Sequence, residues 1–581
     1  MLLVSELFLA LVVCILLAQF LKQRWMIRRL PPGPTPLPLI GNLLLTKFKL
    51  NHDILIQLQN QCSACFTAVP STQGFWIFHA SPRGLIFHRP SSAVRNEACE
   101  SVDRRITFPA RKESMHHLLC AVRNQHFALC FQHLTSPVAR IVFVFDASQL
   151  AKTYGDVFTI WLGGKPMIVL NGYQTVRNAL ISHSEQFSGR PTNPLTVAFV
   201  GTNGILFSNG HTWKQQRRFG MTTMRNLGLG KKSLEVQIRG VSEQLLEFFS
   251  SEKGKAMDPA RPIVNCVANV ISSVVFGHCF NINDSTFQQL VKATSSVVNI
   301  RTQWWSRLYE AFPFLMSRLP LPQYRVFEEW EKLRSYMKQE IKTHQENLPD
   351  EPQDFIDYYL RQIAQTKGDP SSTYEEASLV QVVADLFFAG SETTTTTLRW
   401  ALLHMANNPE IQGKVQQELD AVFGDSQIIH YEDRQKVPYT NAVIHEIQRY
   451  CNIAGLGVPR KCIKETTFQG FHIEKGVIVI PNLSSVLNDP EQWETPGQFN
   501  PGHFLDKEGN FVNRAAFFPF GAGHRVCFGE QMARVELFIF FSSLLRAFNF
   551  RPPEGVKKLK EDYIIGGTLQ PHPYKVCAIP R

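Results

Sequence analysis

Cys527 sits in a tight loop, Phe520-Gly-Ala-Gly-His-Arg-Val-Cys-Phe-Gly529, with Arg525 two residues before it and an apolar run, Gln531 to Phe550, straight after. Gly521 and Gly523 allow backbone shapes that a side chain forbids. Gly529 leaves room for a flat group close to the start of the helix that follows. A thiolate at Cys527 would face the positive end of that helix and its unpaired N–H groups, which lowers a thiol's pKa. Those are the needs of an iron–thiolate bond. A buried, inert cysteine at a loop–helix junction is the plainer alternative. The second candidate centre is Ala389-Gly-Ser-Glu-Thr393, followed by four more threonines, within the apolar stretch Ser378 to Met405. Glycine and a β-branched run are poor interior helix formers, so the pattern predicts a distorted turn. Crowded packing would account for it. So would a groove in which dioxygen sits, with Glu392 and Thr393 as an acid–alcohol pair.

Phe-x-x-Gly-x-Arg-x-Cys-x-Gly over Phe520 to Gly529 resembles the haem-binding signature of the cytochrome P-450 superfamily at every fixed position. Ala389 to Thr393 is similar to that family's Ala-Gly-x-Glu-Thr motif. Leu30-Pro-Pro-Gly-Pro34 and Leu39-Ile-Gly-Asn-Leu43 resemble its microsomal members. Asn226-Leu-Gly-Leu-Gly-Lys-Lys-Ser-Leu-Glu235 resembles family 2, and the J-type branch is the nearest in kind. The resemblance implies heme b with Cys527 as the thiolate iron ligand, which favours O–O cleavage. It implies Thr393 and Glu392 as catalytic residues, and Phe520 and Gly529 beside the cofactor.

Trp213 and Arg217 stand at i and i+4, on one helix face. A basic solvated turn would explain them; the resemblance assigns them, with Arg460 and Arg525, to the haem propionates, a task suited to planar donors. Glu446 and Arg449 lie at i and i+3. On a surface such a pair contributes under ~1 kcal/mol; the resemblance makes it a structural ion pair on the proximal haem side. The third partner there is often an arginine, and in Phe499-Asn-Pro-Gly-His-Phe504 it is His503. Substrate-pocket candidates are Val197, Phe199, Leu206, Ala389, Ile453, Leu456 and Leu569, all apolar.

The elements that must position these residues read as mainly α with small β-sheets. The resemblance implies a single large haem domain, residues 149–581, behind an N-terminal transmembrane helix. Helical periods run over Leu234 to Phe249, Ile263 to Phe276 and Phe287 to Leu308. Gly155 to Asn171 reads as strand–turn–strand, and Asn193 to Ser208 as a loop. Phe468 to Ile473 with Gly476 to Ile480 reads as a β-hairpin. Leu2 to Leu21 is almost wholly apolar, and twenty helical residues span ~30 Å, about one hydrocarbon core. Lys22, Arg24, Arg28 and Arg29 follow, so this end stays cytosolic. No basic region precedes the apolar run, which favours an uncleaved anchor over a signal peptide. Residues 22–60 form a basic, proline-rich hinge and the start of the catalytic body.

Residues 61–148 do not fit. They hold five of the twelve cysteines and six of the eighteen histidines, with no sustained period outside Ile141 to Phe145. Cys62, Cys65, Cys99, Cys120, Cys130, His116 and His126 lack a second paired motif at zinc-finger spacing. So long a loop is unusual inside a compact domain, and the expectation is an atypical insertion, through a retained intron or a gene-model error. The other cysteines are scattered, which points to a reducing compartment. Against 49 acidic groups stand 60 basic ones, a net charge of +11. Most of that excess reads as solvated surface, with a share suited to an anionic membrane or an acidic redox partner.

The function the resemblance implies is a monooxygenase acting on lipophilic substrates, polyunsaturated fatty acids such as arachidonate or xenobiotics. Its expected partners are NADPH-cytochrome P-450 reductase, cytochrome b5 as a second donor and the endoplasmic reticulum membrane, with no nucleic acid. The rivals are a haem-thiolate isomerase or dehydratase that needs no external electrons, a haem sensor or carrier, and a chain that the insertion renders inactive.

Overall fold

The computed structural model describes residues 147–581, apart from 163–164, 229–231, 303, 312, 320–322 and 425–427. Ahead of these it describes residues 21, 26–36, 42, 47–48, 69–71, 74–81, 84–88 and 143–144. The chain divides into two compact units, Phe48–Phe143 and a larger one made of Met1–Lys47 with Val144–Arg581. In the smaller unit Val69–Ser71, Gly74–Ser81 and Gly84–His88 form an antiparallel meander, with Val69 opposite Trp76 and Ile77 opposite His88. This corrects the expectation that 61–148 holds no regular period. Phe75-Trp-Ile-Phe78 is a continuous run of strand formers, which a search for alternation passes over. The cysteines and histidines weighed for zinc there lie outside the described residues.

The larger unit is mainly α with small β-sheets. The helices that build the site are, in chain order, α1 (Gly210–Asn226), α2 (Ala260–Val275), α3 (Glu376–Asn407), α4 (Pro438–Cys451) and α5 (Glu530–Ala547). α3 is the axis. It packs against α2, α4, α5 and the helix Gln323–Glu346, so it is apolar on nearly every side, as a buried helix must be. The distorted turn expected at 389–393 does not interrupt it. Hydroxyls bond back to carbonyls one turn earlier instead: Thr393 to Ala389 at 2.9 Å, Thr395 to Ser391 at 2.6 Å and Thr397 to Thr393 at 2.9 Å. Tertiary packing outweighs a propensity deficit of about 1 kcal/mol or less per residue.

Two further expectations change. Phe287 to Leu308 is not one helix but Ser285–Val298, a 3₁₀ turn Asn299–Thr302 and Trp304–Ala311. The loop Asn193 to Ser208 contains the helix Pro194–Val200, with proline in its first turn and Asn193 Oδ1 accepting from the Thr196 N–H at 2.7 Å. That start signal, Asn then Pro, was present in the sequence.

β1 (Val157–Leu162) and β2 (Lys165–Leu170) form the expected strand–turn–strand. With β3 (Arg460–Lys461) and β4 (Ile478–Pro481) they make a sheet in the order β1-β2-β4-β3. β4 runs parallel to β2; the other pairs are antiparallel. The hairpin expected between 468–473 and 476–480 is corrected to Thr466–Phe468 with Phe471–Ile473. Gln469 and Gly470 at its tip have φ of 47° and 82°, the paired positive values of a tight hairpin turn. The chain reverses there, which leaves Ile478–Pro481 to join the other sheet.

The proline-rich segment lies along β1. Pro32 O accepts from Thr159 N–H at 2.9 Å. Asn42 exchanges two bonds of 2.8 Å with Trp161, one through its backbone N–H and one through its side-chain oxygen. Its amide nitrogen donates to Pro34 O and Thr35 O at 3.1 and 3.2 Å. Among the described residues no helix is long and apolar enough to cross a membrane; of Leu2 to Leu21 only Leu21 is described.

Candidate active site

The loop Phe520 to Gly529 places Cys527 at the start of α5. Gly523, with φ +70°, approaches Leu180 so closely that a Cβ would lie 1.7 Å from the Leu180 carbonyl oxygen. Only glycine closes the loop this tightly. The Cys527 N–H donates to Phe520 O at 3.0 Å, and Arg217 Nη2 donates to Val526 O at 2.7 Å. Cys527 thus faces a cavity of about 320 Å³. The thiol does not behave as the helix terminus alone would dictate. Burial pushes its pKa up and outweighs the N–H donors of Gly529 and Glu530 and the nearby Arg217.

From the other side, α3 offers Ala389, Gly390 and Thr393 to the cavity, with Leu206, Ile205 and Ile453 completing an apolar wall. At one edge four guanidinium groups converge, those of Arg190, Arg217, Arg460 and Arg525, beside Trp213. Arg525 lies 3.8 Å over the Trp213 ring and donates to the carbonyls of Ser188 and Ser208 at 2.7 Å. Arg190 donates to Leu206, Val458 and Pro459. Burial, then repulsion from the neighbouring arginines, pulls three of them down: Arg525 to about 9, Arg460 to about 10, and Arg190 well below its ordinary value. Burial lowers Arg217 too, with Cys527 opposing.

Two buried donors at this edge, Trp213 Nε1 and Arg460 Nε, have no protein acceptor. Crowded cations with orphaned N–H groups are costly unless an anion completes them. A flat group carrying carboxylates at one edge and a metal that takes a soft sulfur ligand fits this donor set.

The acid and the alcohol of the expected pair separate in space. Thr393 lines the cavity, its hydroxyl donating to Ala389 O. Glu392 is buried on another face of α3. Its Oε1 accepts from Thr396 and Thr568, each at 3.1 Å, and from Gln570. Glu446 and Arg449 are fully buried and paired twice at 2.7 Å. Arg449 gives its other donors to the carbonyls of Leu487, Pro496 and Gln498, and His503 Nδ1 stands 3.2 Å from Glu446.

The structure brings Trp213, Arg217, Arg460, Phe520, Arg525, Cys527, Gly529, Leu206, Ala389, Ile453 and Thr393 around one cavity. Four pocket candidates are not in its wall. Val197 and Leu456 are exposed, Phe199 stacks on Phe327 in the core, and Leu569 packs against Gly455. Three charged lining residues escaped the sequence reading. Arg190 carries no local signal at all. Asp385 and Glu536 were legible as lone carboxylates inside apolar runs. Asp385 accepts the N–H groups of Ile205 and Leu206 at 2.8 and 3.0 Å, and burial pushes its pKa to about 6. Glu536 is bonded to Thr394, and burial pushes it to about 8.

A mainly α chain that sets a cysteine, an alcohol and a cluster of guanidinium groups around one cavity is built as a haem-thiolate oxidoreductase. The family model described as Cytochrome P450 matches residues 125–578, and the chain belongs to that family. Within it the chain is a family 2 member near the J branch. It is 44% identical over 437 residues to human cytochrome P450 2J2, covering 75% of this chain and 87% of that protein. To mouse cytochrome P450 2J5 it is 42% identical over 434 residues, 74% of this chain and 86% of the relative. To mouse cytochrome P450 2F2 it is 40% identical over 434 residues, with 74% and 88% covered. Haem b with a cysteine thiolate on its iron, and monooxygenase chemistry, go with that membership.

Proposed function

We propose that this chain is a monooxygenase that places one atom of dioxygen into a lipophilic substrate, by hydroxylation or epoxidation. The second oxygen atom leaves as water, with two electrons drawn from NADPH through NADPH-cytochrome P-450 reductase and cytochrome b5 as a further donor. The observation that carries the reading is the cavity shared by Cys527, Thr393 and the guanidinium edge. Cys527 would hold the iron, and Trp213, Arg190, Arg217, Arg460 and Arg525 would hold the propionates. When bound, haem b supplies reductive dioxygen activation, which a thiolate ligand favours.

The chain supplies the rest. Leu206, Ala389 and Ile453 exclude water and orient an apolar substrate. The Thr393 hydroxyl lines the cavity and donates to Ala389 O; turned from that carbonyl, it can give its proton to the cavity and take another in exchange. Polyunsaturated fatty acids such as arachidonate suit the apolar wall, and the J-branch membership supports them over xenobiotics. Leu2 to Leu21 would anchor the chain once in the endoplasmic reticulum membrane with the haem domain cytosolic. Residues 61–148 would be an insertion foreign to the fold.

Purified protein reconstituted with the reductase and offered a lipid panel tests the reading. Oxygenated product that requires both NADPH and O₂ is expected. Rearrangement of fatty-acid hydroperoxides without NADPH would assign the isomerase or dehydratase class instead.

A further inference from the structure

Glu392 directly precedes the cavity-lining Thr393, yet its carboxylate is committed elsewhere. It is 6% exposed, and Oε1 collects three donors: Thr396 on its own helix, and Thr568 and Gln570 on the terminal hairpin. That hairpin pairs Tyr563–Ile565 with Leu569–Pro571. Leu569, between the two donors, holds the cavity wall through its own peptide. Its N–H donates to Ile453 O at 2.8 Å, and its carbonyl accepts from Trp400 Nε1 at 2.9 Å. At the turn, Gly567 N–H donates to Val298 O at 2.7 Å. Ile453 in turn lines the cavity. Side-chain hydrogen bonds, the hairpin backbone between them and the Leu569 N–H therefore connect Glu392 to a residue that lines the cavity.

We propose that Glu392 is a positioning residue that latches the terminal hairpin to the central helix, so that it fixes Ile453 and with it the position on the substrate that is attacked. The proposal rests on the monooxygenase reading for its consequence, while the latch itself is a property of the resting protein. One acceptor atom, Oε1, ties Thr396 of the helix to Thr568 and Gln570 of the hairpin. Removing the acceptor strands Thr568 and Gln570 without it, and the hairpin is free to shift.

The test uses the haem-loaded full chain in three forms beside the wild type: E392A, E392Q and the hairpin double variant T568A/Q570A. The first readout is amide hydrogen exchange at Gly567 and Leu569 in the resting protein. E392A and the double variant are expected to speed exchange there by roughly tenfold or more, as local opening becomes easier. E392Q, whose amide oxygen still accepts, is expected to restore slow exchange. The second readout is the distribution of hydroxylated products from lauric acid, whose row of similar methylenes reports the site of attack. E392A and the double variant should shift that distribution alike, with E392Q close to wild type. Unchanged exchange in E392A overturns the latch. So does a double variant with wild-type products while E392A and E392Q both divert electrons to peroxide with a raised solvent isotope effect, since Glu392 then serves as the proton source. Absence of NADPH-dependent product from the wild type would overturn the monooxygenase reading, and the exchange data would still decide the latch.

Discussion

Burial governs the charge of the side chains around the cavity, and Glu536 feels it most directly. Its pKa is about 8 in the folded chain against an ordinary 4.5. The folded state holds that proton the more tightly, so this contribution to stability is full below pH 4.5 and is lost as pH rises through 8. Glu536→Gln removes it, and the fall in stability across that window should flatten by on the order of a few kcal/mol. Denaturant unfolding of both proteins across this range checks it; parallel curves would count against the assignment. Thr393→Ala should leave haem binding intact and divert several-fold more of the consumed NADPH to peroxide, measured by comparing NADPH, peroxide and product. Unchanged coupling would take Thr393 out of proton transfer. At this scale the sequence was generous with Cys527 and Thr393, whose neighbours are fixed by short spacings. It was silent on Arg190, since the guanidinium cluster draws on two stretches of chain, Arg190 with Arg217 and Arg460 with Arg525, that only the fold brings together. It also paired Glu392 with Thr393 by adjacency, although consecutive helical residues point about 100° apart.

Single elements carry the proximal frame. Arg449 satisfies all five of its donors, two on Glu446 and three on the carbonyls of Leu487, Pro496 and Gln498. Arg449→Ala would leave Glu446 charged and buried without its partner, a loss of about 3–5 kcal/mol. Thermal unfolding and haem retention should both fall, and lysine should not rescue them, because an ammonium has three donors and no fork. A wild-type melting temperature in the alanine variant would contradict this. The i, i+3 spacing made the pair visible in advance. The carbonyl cradle was not, because it is built by a loop 38 to 49 residues downstream. Elements set by local chemistry, such as β1 with β2, were legible. The terminal hairpin's hold on Ile453, and the unbroken run of α3 through its threonines, depend on packing that no local pattern encodes.

At the scale of the molecule, the smaller compact unit interrupts the larger one in sequence. Pro32 and Asn42 bond to Thr159 and Trp161, so the chain before and after Phe48–Phe143 meets within one compact unit. Loop length itself adds little closure cost. A chain with residues 48–143 deleted should therefore fold, load haem and melt within a few degrees of the full protein or above it. Failure of the deleted chain to fold would make the segment integral. Sequencing the transcript across the junction is a separate check, and a mature message that encodes the whole segment would rule out a gene-model error. The segment expected from its break with the flanking pattern was 61–148, and the smaller compact unit is Phe48–Phe143; its meander was not legible, because its strands do not alternate.

The central claim is that Cys527 supplies sulfur to haem iron. The ferrous–carbon monoxide absorption spectrum of the purified wild-type protein and of Cys527→Ser tests it most directly. A thiolate-type band in the wild type that is lost in the serine variant is the expected result. A nitrogen-type spectrum in the wild type, or a thiolate band that survives the substitution, would contradict it.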